Sequence, residues 1–267
     1  LSHHLSPFVL SATNPSCRIT HARAVEHTKG GRLSRRRRRS KRPQRFLEIV
    51  SSRLFFLLRV RTGRSGPRGI EGKHGGGAIV NRSIILGTGS AVPKKVVTNQ
   101  DLESMVDTSD EWISSRTGIK QRHIAEDGEN TSLLAAEATR QALEMAGVEP
   151  EEVDMIVVST TSPDMIMPNT GALVQKHLGA PNAFGFDIYA ACAGFVYALT
   201  IAEKFVKDKP ESKVVAIGAE LLSYITDWQD RNTCVLFGDA AGAALLSGSN
   251  DSDRGILSSH LHSDGRL

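Results

Sequence analysis

Apolar residues between positions 81 and 267 fall into short runs that alternate with segments of helical spacing. The runs are rich in Val, Ile and Leu and predict buried strands at 83–90, 154–162, 183–190, 213–220, 234–248 and, as the start of one more, 255–265. The segments with helical spacing predict helices at 131–147, 170–179 and 194–208. Strands that are apolar throughout and are separated by helices are typical of a parallel-rich sheet covered on both faces. The pattern predicts one α/β unit over residues 81–267.

Residues 1–80 lack this pattern and differ sharply in charge. They are rich in Ser, Arg, Gly and His, and they hold 18 Lys and Arg against three Glu and no Asp, a net charge of +15. Residues 81–267 hold 15 basic and 26 acidic side chains, a net charge of −11, so the overall +4 belongs to the first segment. We predict a disordered basic leader over residues 1–80.

An Arg- and Ser-rich leader with few acids is typical of an organellar transit peptide. The other interpretations are read-through of untranslated sequence and an arm that binds polyanions through the arginine run at 34–45. No aromatic residue interleaves these arginines, and the acidic remainder would repel a phosphate backbone, so we expect no nucleic-acid partner. No apolar run approaches the roughly 20 residues that span a membrane, and we expect no membrane partner. The chain begins with Leu, its first Met is Met105, and it ends in HLHSDGRL, so we expect a fragment.

Three cysteines, Cys17, Cys192 and Cys234, are widely spaced and form no CxxC pair. This arrangement predicts neither a disulfide framework nor a metal site, and it favours a reducing compartment. Cys17 lies in the leader. Cys234 lies in an apolar run and is expected to be a core residue in a strand.

Cys192 is different, because it lies where the strand at 183–190 gives way to the helix at 194–208. A helix N-terminus stabilises a thiolate, which is the nucleophilic form of cysteine. The neighbouring Ala and Gly residues would leave room for a ligand carbonyl and for a backbone N–H that contacts a developing oxyanion. The alternative is that Cys192 packs in the core as a small apolar side chain.

The polar segment at 106–124 is a second candidate site. Thr108 and Glu111 fit a capping box and Gly118 fits a helix stop, so a short helix is predicted at 110–117. Trp112 and Arg116 would then be i,i+4 neighbours on this helix.

An indole beside a guanidinium can stack a purine and hold a phosphate. Arg231, in the polar stretch at 226–233, could face the same ligand. The alternative is that Trp112 belongs to the core and Arg116 to the surface.

These motifs together resemble β-ketoacyl-[acyl-carrier-protein] synthase III, the family that starts type II fatty-acid synthesis. The resemblance covers about residues 82–267 and is carried by GTGSAVP, VDTSDEWISSRTGIKQRHIA, AACAGFVYAL, FGDAAGAA and HLHSDG, in this order. It implies the α/β thiolase-like fold, an αβαβα sandwich of two similar halves, of which this chain holds largely the first. It also implies a homodimer that condenses acetyl-CoA with malonyl-[acyl-carrier protein], releasing CoA and carbon dioxide and leaving acetoacetyl-[acyl-carrier protein]. No cofactor and no metal are expected, since acetyl-CoA is a substrate.

The resemblance also implies roles for individual residues. Cys192 occupies the position of the acylated nucleophile, and its N–H would be one oxyanion donor. Trp112 and Arg231 match the positions that sandwich the adenine of CoA. Arg116 matches a phosphate contact, and Thr108 matches a hydroxyl that hydrogen-bonds the base.

Some positions depart from the family pattern. The family's catalytic His and Asn lie in the second half, and no histidine here stands in that motif, so none is assigned a catalytic role (His123, His177, His260, His262). His123 and His262 are expected to make structural hydrogen bonds. Asn232 stands where Gly is common, and Met167 stands where a residue reaches toward the acyl pocket.

Other functions stay open at this stage. A thiolase, a hydroxymethylglutaryl-CoA synthase or a chalcone-synthase-like enzyme is the near alternative, which DEWISSRTGI beside AACAGF disfavours. The alternative from another class is a truncated product without catalysis. A leader ahead of such an enzyme suggests the plastid stroma, with the mitochondrion as the alternative.

Overall fold

The computed structural model describes residues 60–61, 82–251 and 253–266. The arginine run, Cys17 and nearly all of the predicted leader lie outside the described residues. Within the described part there are nine strands, five α-helices and three short 3-10 turns. The strands are β1 (Val60–Arg61), β2 (Arg82–Ala91), β3 (Lys95–Thr98), β4 (Gln121–Ile124), β5 (Met155–Ser159), β6 (Phe184–Ile188), β7 (Val214–Leu221), β8 (Asp239–Ser249) and β9 (Gly255–Ile256). The helices are α1 (Asn99–Glu103), α2 (Asp110–Thr117), α3 (Thr131–Ala146), α4 (Thr170–Leu178) and α5 (Gly194–Asp208), and the 3-10 turns are Pro150–Glu152, Ala191–Ala193 and Leu222–Tyr224.

The central sheet has five strands in the order β2-β8-β7-β5-β6. Strand β5 pairs in parallel with both β6 and β7, whereas β8 is antiparallel to both β7 and β2. Four strands therefore run in one direction and β8 runs in the other, which confirms the parallel-rich prediction apart from this strand. Strand β8 can reverse because no crossover helix separates it from β7.

Strand β5 shows why the strands are apolar throughout. All five of its residues are buried. Met155 and Val157 pack in a cluster with apolar residues of α5, whereas Ile156 and Val158 pack in a cluster with α3 and α4. Because helices cover both faces of the sheet, neither set of alternate side chains faces water.

A smaller unit packs beside the sheet. Strands β3 and β4 form an antiparallel pair, and helices α1 and α2 lie between them in the chain. Their apolar contacts converge on a separate core cluster formed by Leu102, Ile113, Cys234 and Val235, against which Trp112 packs. This unit carries the second candidate site.

Two predicted features of the chain need correction. Cys234 is buried as predicted, but it lies in hydrogen-bonded turns and strand β8 begins only at Asp239. The Asp230 side chain accepts hydrogen bonds from the N–H of Asn232 and the hydroxyl of Thr233, and such local bonds compete with strand pairing. The strand expected over 255–265 extends only over Gly255–Ile256, after which the chain is irregular.

Val60 and Arg61 lie within the predicted leader, yet they pair with Ile256 and Gly255 as a short antiparallel ladder. Ladder hydrogen bonds are made by the backbone, so they do not depend on the composition that predicted disorder. No helix among the described residues is long and apolar enough to cross a membrane.

Candidate active site

Cys192 lies at the junction of β6 and α5, as predicted. Strand β6 ends at Ile188, and the chain then turns through Ala191, whose φ is 45°, into the 3-10 turn that precedes α5. A positive φ is strained for a residue with a Cβ atom, and such strain is commonly kept where the chain presents a functional side chain. The Cys192 side chain is exposed and its thiol is free. The N–H groups of Ala193 and Gly194 already donate to the carbonyls of Ala190 and Ala191, whereas the N–H of Cys192 makes no backbone hydrogen bond with the described residues and is available to a developing negative charge.

Gly194 shows that small residues around Cys192 have a second role. A Cβ atom on Gly194 would overlap Oγ of Ser159 and would lie 2.8 Å from Cβ of Ser159, in strand β5. The lack of a side chain at Gly194 therefore lets α5 approach the sheet. Among the Ala and Gly residues next to Cys192, only Ala191 lines the cavity at the thiol.

A cavity of about 630 Å³ opens beside the thiol. It lies beyond the carboxyl ends of β5, β6 and β7, the usual place for a ligand in a parallel sheet. Leu222, Ile225 and Phe237 supply apolar wall, so the cavity suits a short acyl chain held next to a nucleophile.

Two carboxylates, Glu220 and Asp227, line this cavity, and Glu220 is already engaged in a hydrogen-bond network. Oxygens of Glu220 accept hydrogen bonds from the Thr161 N–H at 2.9 and 3.1 Å, the Thr161 hydroxyl at 2.9 Å and the Ser162 hydroxyl at 2.7 Å. Glu220 therefore holds the loop after β5 in place.

No described histidine lines the cavity at the thiol. His123 Nδ1 is 2.6 Å from the Pro93 carbonyl oxygen, which confirms the structural hydrogen bond expected there. His262 is exposed, and the hydrogen bond expected for it is not found among the described residues. Among the described residues no histidine is hydrogen-bonded to Cys192.

The other cysteine contrasts with Cys192. Cys234 is fully buried, and burial raises the pKa of its thiol. A buried thiol with a raised pKa is a poor nucleophile. Of the two described cysteines, Cys192 is the one suited to covalent chemistry.

Helix α2 spans the predicted residues, but its N-cap differs by one position. Oγ of Ser109 accepts the Trp112 N–H at 3.1 Å, so Ser109 caps the helix in place of the predicted Thr108–Glu111 box. Ser109 has the extended backbone of an N-cap. The Thr108 hydroxyl oxygen is buried and has no hydrogen-bond partner among the described residues. Gly118 ends the helix with a φ of 74°, as predicted.

Trp112 is flanked by both predicted arginines. The guanidinium carbon of Arg116 lies 4.6 Å from the centroid of the Trp112 ring, and that of Arg231 lies 4.7 Å from it. Arg231 Nη1 is also 3.4 Å from Asp107 Oδ2. The predicted cluster is confirmed, but a base held between Trp112 and Arg231 would need contacts of about 3.5–4.0 Å on each side. Arg231 must therefore move outward by about 3 Å before a purine can enter.

The structure also shows the surroundings of Asn232 and Met167, the two positions that depart from the family pattern. The N–H and Nδ2 of Asn232 donate to Asp230 Oδ1 at 3.0 and 3.1 Å, so Asn232 tightens the turn that carries Arg231. Met167 is 83% exposed and does not line the cavity at Cys192, since it lies on the loop between β5 and α4. The expectation that Met167 reaches the acyl pocket is not met within this chain.

Sequence reasoning missed the walls of the cavity. Thr161 follows β5, and Glu220 and Leu222 mark the end of β7, on strands that are neighbours only in the folded sheet. The signal that could have found them is the rule that carboxyl ends of parallel strands share one edge. Ile225 and Phe237 carry no comparable signal.

Comparison with known proteins agrees with this geometry. The family model for 3-oxoacyl-[acyl-carrier-protein] synthase III matches residues 186–265, which include Cys192 and Arg231. The chain is 58% identical over 186 residues to β-ketoacyl-[acyl-carrier-protein] synthase III of Ehrlichia canis, and 57% identical over 188 residues to that of Rhodospirillum centenum. By sequence, the chain is similar to β-ketoacyl-[acyl-carrier-protein] synthase III. These alignments cover 70% and 69% of the chain and 58% of each relative, so the chain spans somewhat more than half the length of the relatives it matches.

Solved structures show the same fold. The 3-oxoacyl-[acyl-carrier-protein] synthase III of Aquifex aeolicus is 51% identical, with a TM-score of 0.61 over 63% of this chain and 55% of that chain. The priming β-ketosynthase of the R1128 polyketide pathway is 40% identical, with a TM-score of 0.62 over 66% of this chain and 54% of that chain. The chain therefore has the thiolase-like α/β fold that the sequence predicted.

Proposed function

We propose that this chain provides the nucleophile and the coenzyme platform for the condensation that initiates fatty-acid synthesis. In this reaction acetyl-CoA and malonyl-[acyl-carrier protein] give acetoacetyl-[acyl-carrier protein], CoA and carbon dioxide. The observation that carries the proposal is Cys192, which is exposed on a strained strand–turn–helix junction and lines an apolar cavity of about 630 Å³. No cofactor is invoked.

The first step transfers the acetyl group. The Cys192 thiolate attacks the carbonyl carbon of acetyl-CoA, and the carbonyl electron pair moves to oxygen, where the N–H of Cys192 is the expected donor. The tetrahedral intermediate collapses as the carbon–sulfur bond to CoA breaks, and the departing CoA thiolate takes a proton. The product is acetyl-Cys192.

The second step forms the carbon–carbon bond. Malonyl-[acyl-carrier protein] loses carbon dioxide, and the electron pair of the broken bond attacks the carbonyl carbon of acetyl-Cys192. Collapse of this second tetrahedral intermediate breaks the bond to sulfur, which restores the Cys192 thiolate and frees acetoacetyl-[acyl-carrier protein].

Three features support CoA as the acyl donor. Trp112 offers a flat ring for the adenine, with Arg116 and Arg231 stacked against it as cations for phosphates. The Thr108 hydroxyl oxygen is buried without a partner in the described structure, so it can bond the base once a neighbouring side chain moves aside. We propose that adenine displaces Arg231 from Trp112 and is then held between the two.

Mass spectrometry after incubation with acetyl-CoA tests the nucleophile. We expect one acetyl group on the peptide that contains Cys192, none on the peptide that contains Cys234, and no acetylation of Cys192→Ala. Acetyl found elsewhere, with Cys192 unmodified, would refute the assignment. Acetylation without condensation would favour the second candidate, a catalytically incomplete chain that only accepts the acyl group, since no described histidine contacts Cys192.

The coenzyme platform is tested with two acyl donors. Trp112→Ala and Arg116→Gln should weaken acetylation by acetyl-CoA and should leave acetylation by a short acetyl thioester without a nucleotide unchanged. Arg140→Gln is the matched control, because Arg140 is an exposed helix arginine paired with Glu137 at 2.7 Å. Equal losses with both donors would show that Trp112 serves folding instead.

We also propose that the protein works as a homodimer. Met165, Ile166 and Met167 follow one another on an exposed loop, and Ile166 and Met167 are 95% and 83% exposed. Three adjacent exposed apolar side chains suit a contact with a second copy. Sedimentation should show a dimer that Ile166→Asp dissociates, and a wild-type monomer would refute this.

We propose the plastid stroma as the compartment, with the mitochondrion as the alternative. The support is the basic, acid-poor composition of residues 1–80. Residues 1–80 fused to a fluorescent protein should direct it into plastids. A fusion that stays outside both organelles would contradict the targeting role.

A further inference from the structure

Arg122 in β4 is a buried cation whose hydrogen-bond partners are all neutral. It is 5% exposed and forms no ion pair with the described residues. Its Nη1 donates to the Val97 carbonyl at 3.3 Å, and its Nη2 donates to Asn99 Oδ1 at 2.9 Å and to the Val235 carbonyl at 3.2 Å. Burying an unpaired guanidinium is costly, so its place in the fold calls for an explanation.

The first partner connects Arg122 to the helix that carries Trp112. Asn99 is fully buried, and its Nδ2 donates to Asp110 Oδ1 at 2.7 Å and to the Ile119 carbonyl at 2.8 Å. These two acceptors lie at the first residue of α2 and just after its end. Asn99 therefore fixes both ends of α2, and Arg122 holds the amide of Asn99 by its oxygen.

The second partner connects Arg122 to the segment that carries Arg231. Val235 lies four residues after Arg231, in the turns that Asp230 organises. The same segment packs closely on β4, because a Cβ atom on Gly238 would lie 2.9 Å from Cβ of Arg122. The guanidinium group of Arg122 thus joins two pieces of chain that are far apart in sequence. One is helix α2, which carries Trp112, and the other is the segment that carries Arg231.

We infer that Arg122 is a positioning residue that sets the affinity for CoA by holding helix α2 and the Arg231 segment at a fixed separation. The inference rests on the proposed coenzyme role of Trp112 and Arg231. Arg122 itself is buried, so it acts through Asn99 and Val235. The planar fork is essential to this role, because a lysine cannot donate to three separated acceptors in fixed directions.

The test compares CoA binding with a reaction that bypasses the nucleotide site. Calorimetry with CoA should show a dissociation constant raised about tenfold in Arg122→Gln, the scale of one lost charge-assisted hydrogen bond. Arg122→Lys should fall between wild type and Arg122→Gln. Cys192 acetylation by a short acetyl thioester should keep the wild-type rate in both variants, and Arg140→Gln should match wild type in every assay.

Other outcomes overturn the inference. Equal losses of CoA binding and short-thioester acetylation would mean that Arg122 only supports folding. Unchanged CoA binding in Arg122→Gln, with wild type binding normally, would refute the positioning role and leave the proposed function intact. Failure of wild type to bind CoA would refute both.

A milder variant covers the case in which Arg122→Gln does not fold. The Ser114 hydroxyl donates to Asp110 Oδ1 at 2.9 Å, beside the amide of Asn99, so Ser114→Ala removes one outer link of the same network. We expect a two- to threefold rise in the CoA dissociation constant, of the order of a neutral hydrogen bond, with short-thioester acetylation unchanged. No change in CoA binding with Ser114→Ala and Arg122→Lys together would overturn the inference.

Discussion

Replacing Gly194 by Ala should destabilise the protein strongly, although the change adds a single methyl group. Gly194 is the first residue of α5, and its φ of −61° is ordinary for any residue, so the backbone itself would accept Ala. The cost comes from contact: the new Cβ would overlap Oγ of Ser159 and lie 2.8 Å from Cβ of Ser159.

Ser159 cannot easily move away. It ends β5, which is paired on one side with β6 and on the other with β7, opposite Ile188 and Gly218 respectively. Overpacking a core usually costs about 1–3 kcal/mol, and the two flanking strands place this site near the upper end. For a domain of this size, about 3 kcal/mol corresponds to a melting temperature lowered by about 6–12 °C.

Urea and thermal unfolding of four variants test this reasoning. Gly242→Ala is the matched control, because a Cβ on Gly242 in β8 would meet nothing within 4 Å. We expect the control to stay within about 1 kcal/mol of wild type. Ser159→Ala should cost little, since the Ser159 hydroxyl is buried without a partner among the described residues, and it should partly rescue Gly194→Ala. Gly194→Ala as stable as the control, or a coupling energy below about 0.5 kcal/mol in the double variant, would refute the argument.

Three further predictions concern titratable groups. Alkylation should label Cys192 in the folded protein but not Cys234. The buried thiol of Cys234 has a raised pKa, so it should react only when pH rises well above the usual thiol range or when the chain unfolds. Peptide mass spectrometry across pH checks this, and labelling of Cys234 at neutral pH in the folded protein would contradict it. Asp239→Asn should lower the free energy of unfolding by about 1–3 kcal/mol or more, because this buried carboxylate accepts two backbone N–H groups and one hydroxyl, and urea unfolding measures the loss. Hydrogen bonds, first from Asn99, hold the pKa of Asp110 below its usual value. The stability that Asp110 contributes is therefore present above the unfolded pKa of about 3.9 and is lost as pH falls through the folded pKa. Asp110→Asn should make the free energy of unfolding less dependent on pH in this acidic range, and an unchanged dependence would exclude the contribution.

Most regular elements were predictable because burial leaves a mark on the sequence. Strand β5 is apolar at every position since helices cover both of its faces, and α3 shows helical spacing that ends at Gly147. What failed was local: the apolar residues around Cys234 suggested a strand, but the side chain of Asp230 organises turns there. Hydrophobic pattern does not register such side-chain to backbone bonds.

The chemistry of the site was easier to predict than its geometry. Cys192 and Trp112 stand out because a strand–helix junction and a capped helix are local features. The cavity wall formed by Leu222 and Phe237 depends on which strands become neighbours, and strand order is not written in any one segment. The resemblance paired Arg231 with Trp112 across an adenine, but local patterns did not predict that the two side chains stack directly on each other, because they belong to segments more than a hundred residues apart.

The segment between β7 and β8 is where the two ends of the proposed acyl-donor site are joined. Its first part and its last part, Leu222 and Phe237, line the cavity at Cys192, while Arg231 in the middle stacks on Trp112. Its end is fixed by Asp239, which also accepts the N–H of Ala125 just after β4. A change within this segment should therefore disturb acyl transfer and nucleotide binding together. The guanidinium group of Arg122 contacts this segment only near Arg231, so changes at Arg122 should affect nucleotide binding without affecting acyl transfer. Comparing acetylation by acetyl-CoA and by a short thioester can therefore show whether a given residue of the segment serves the nucleotide or the acyl group.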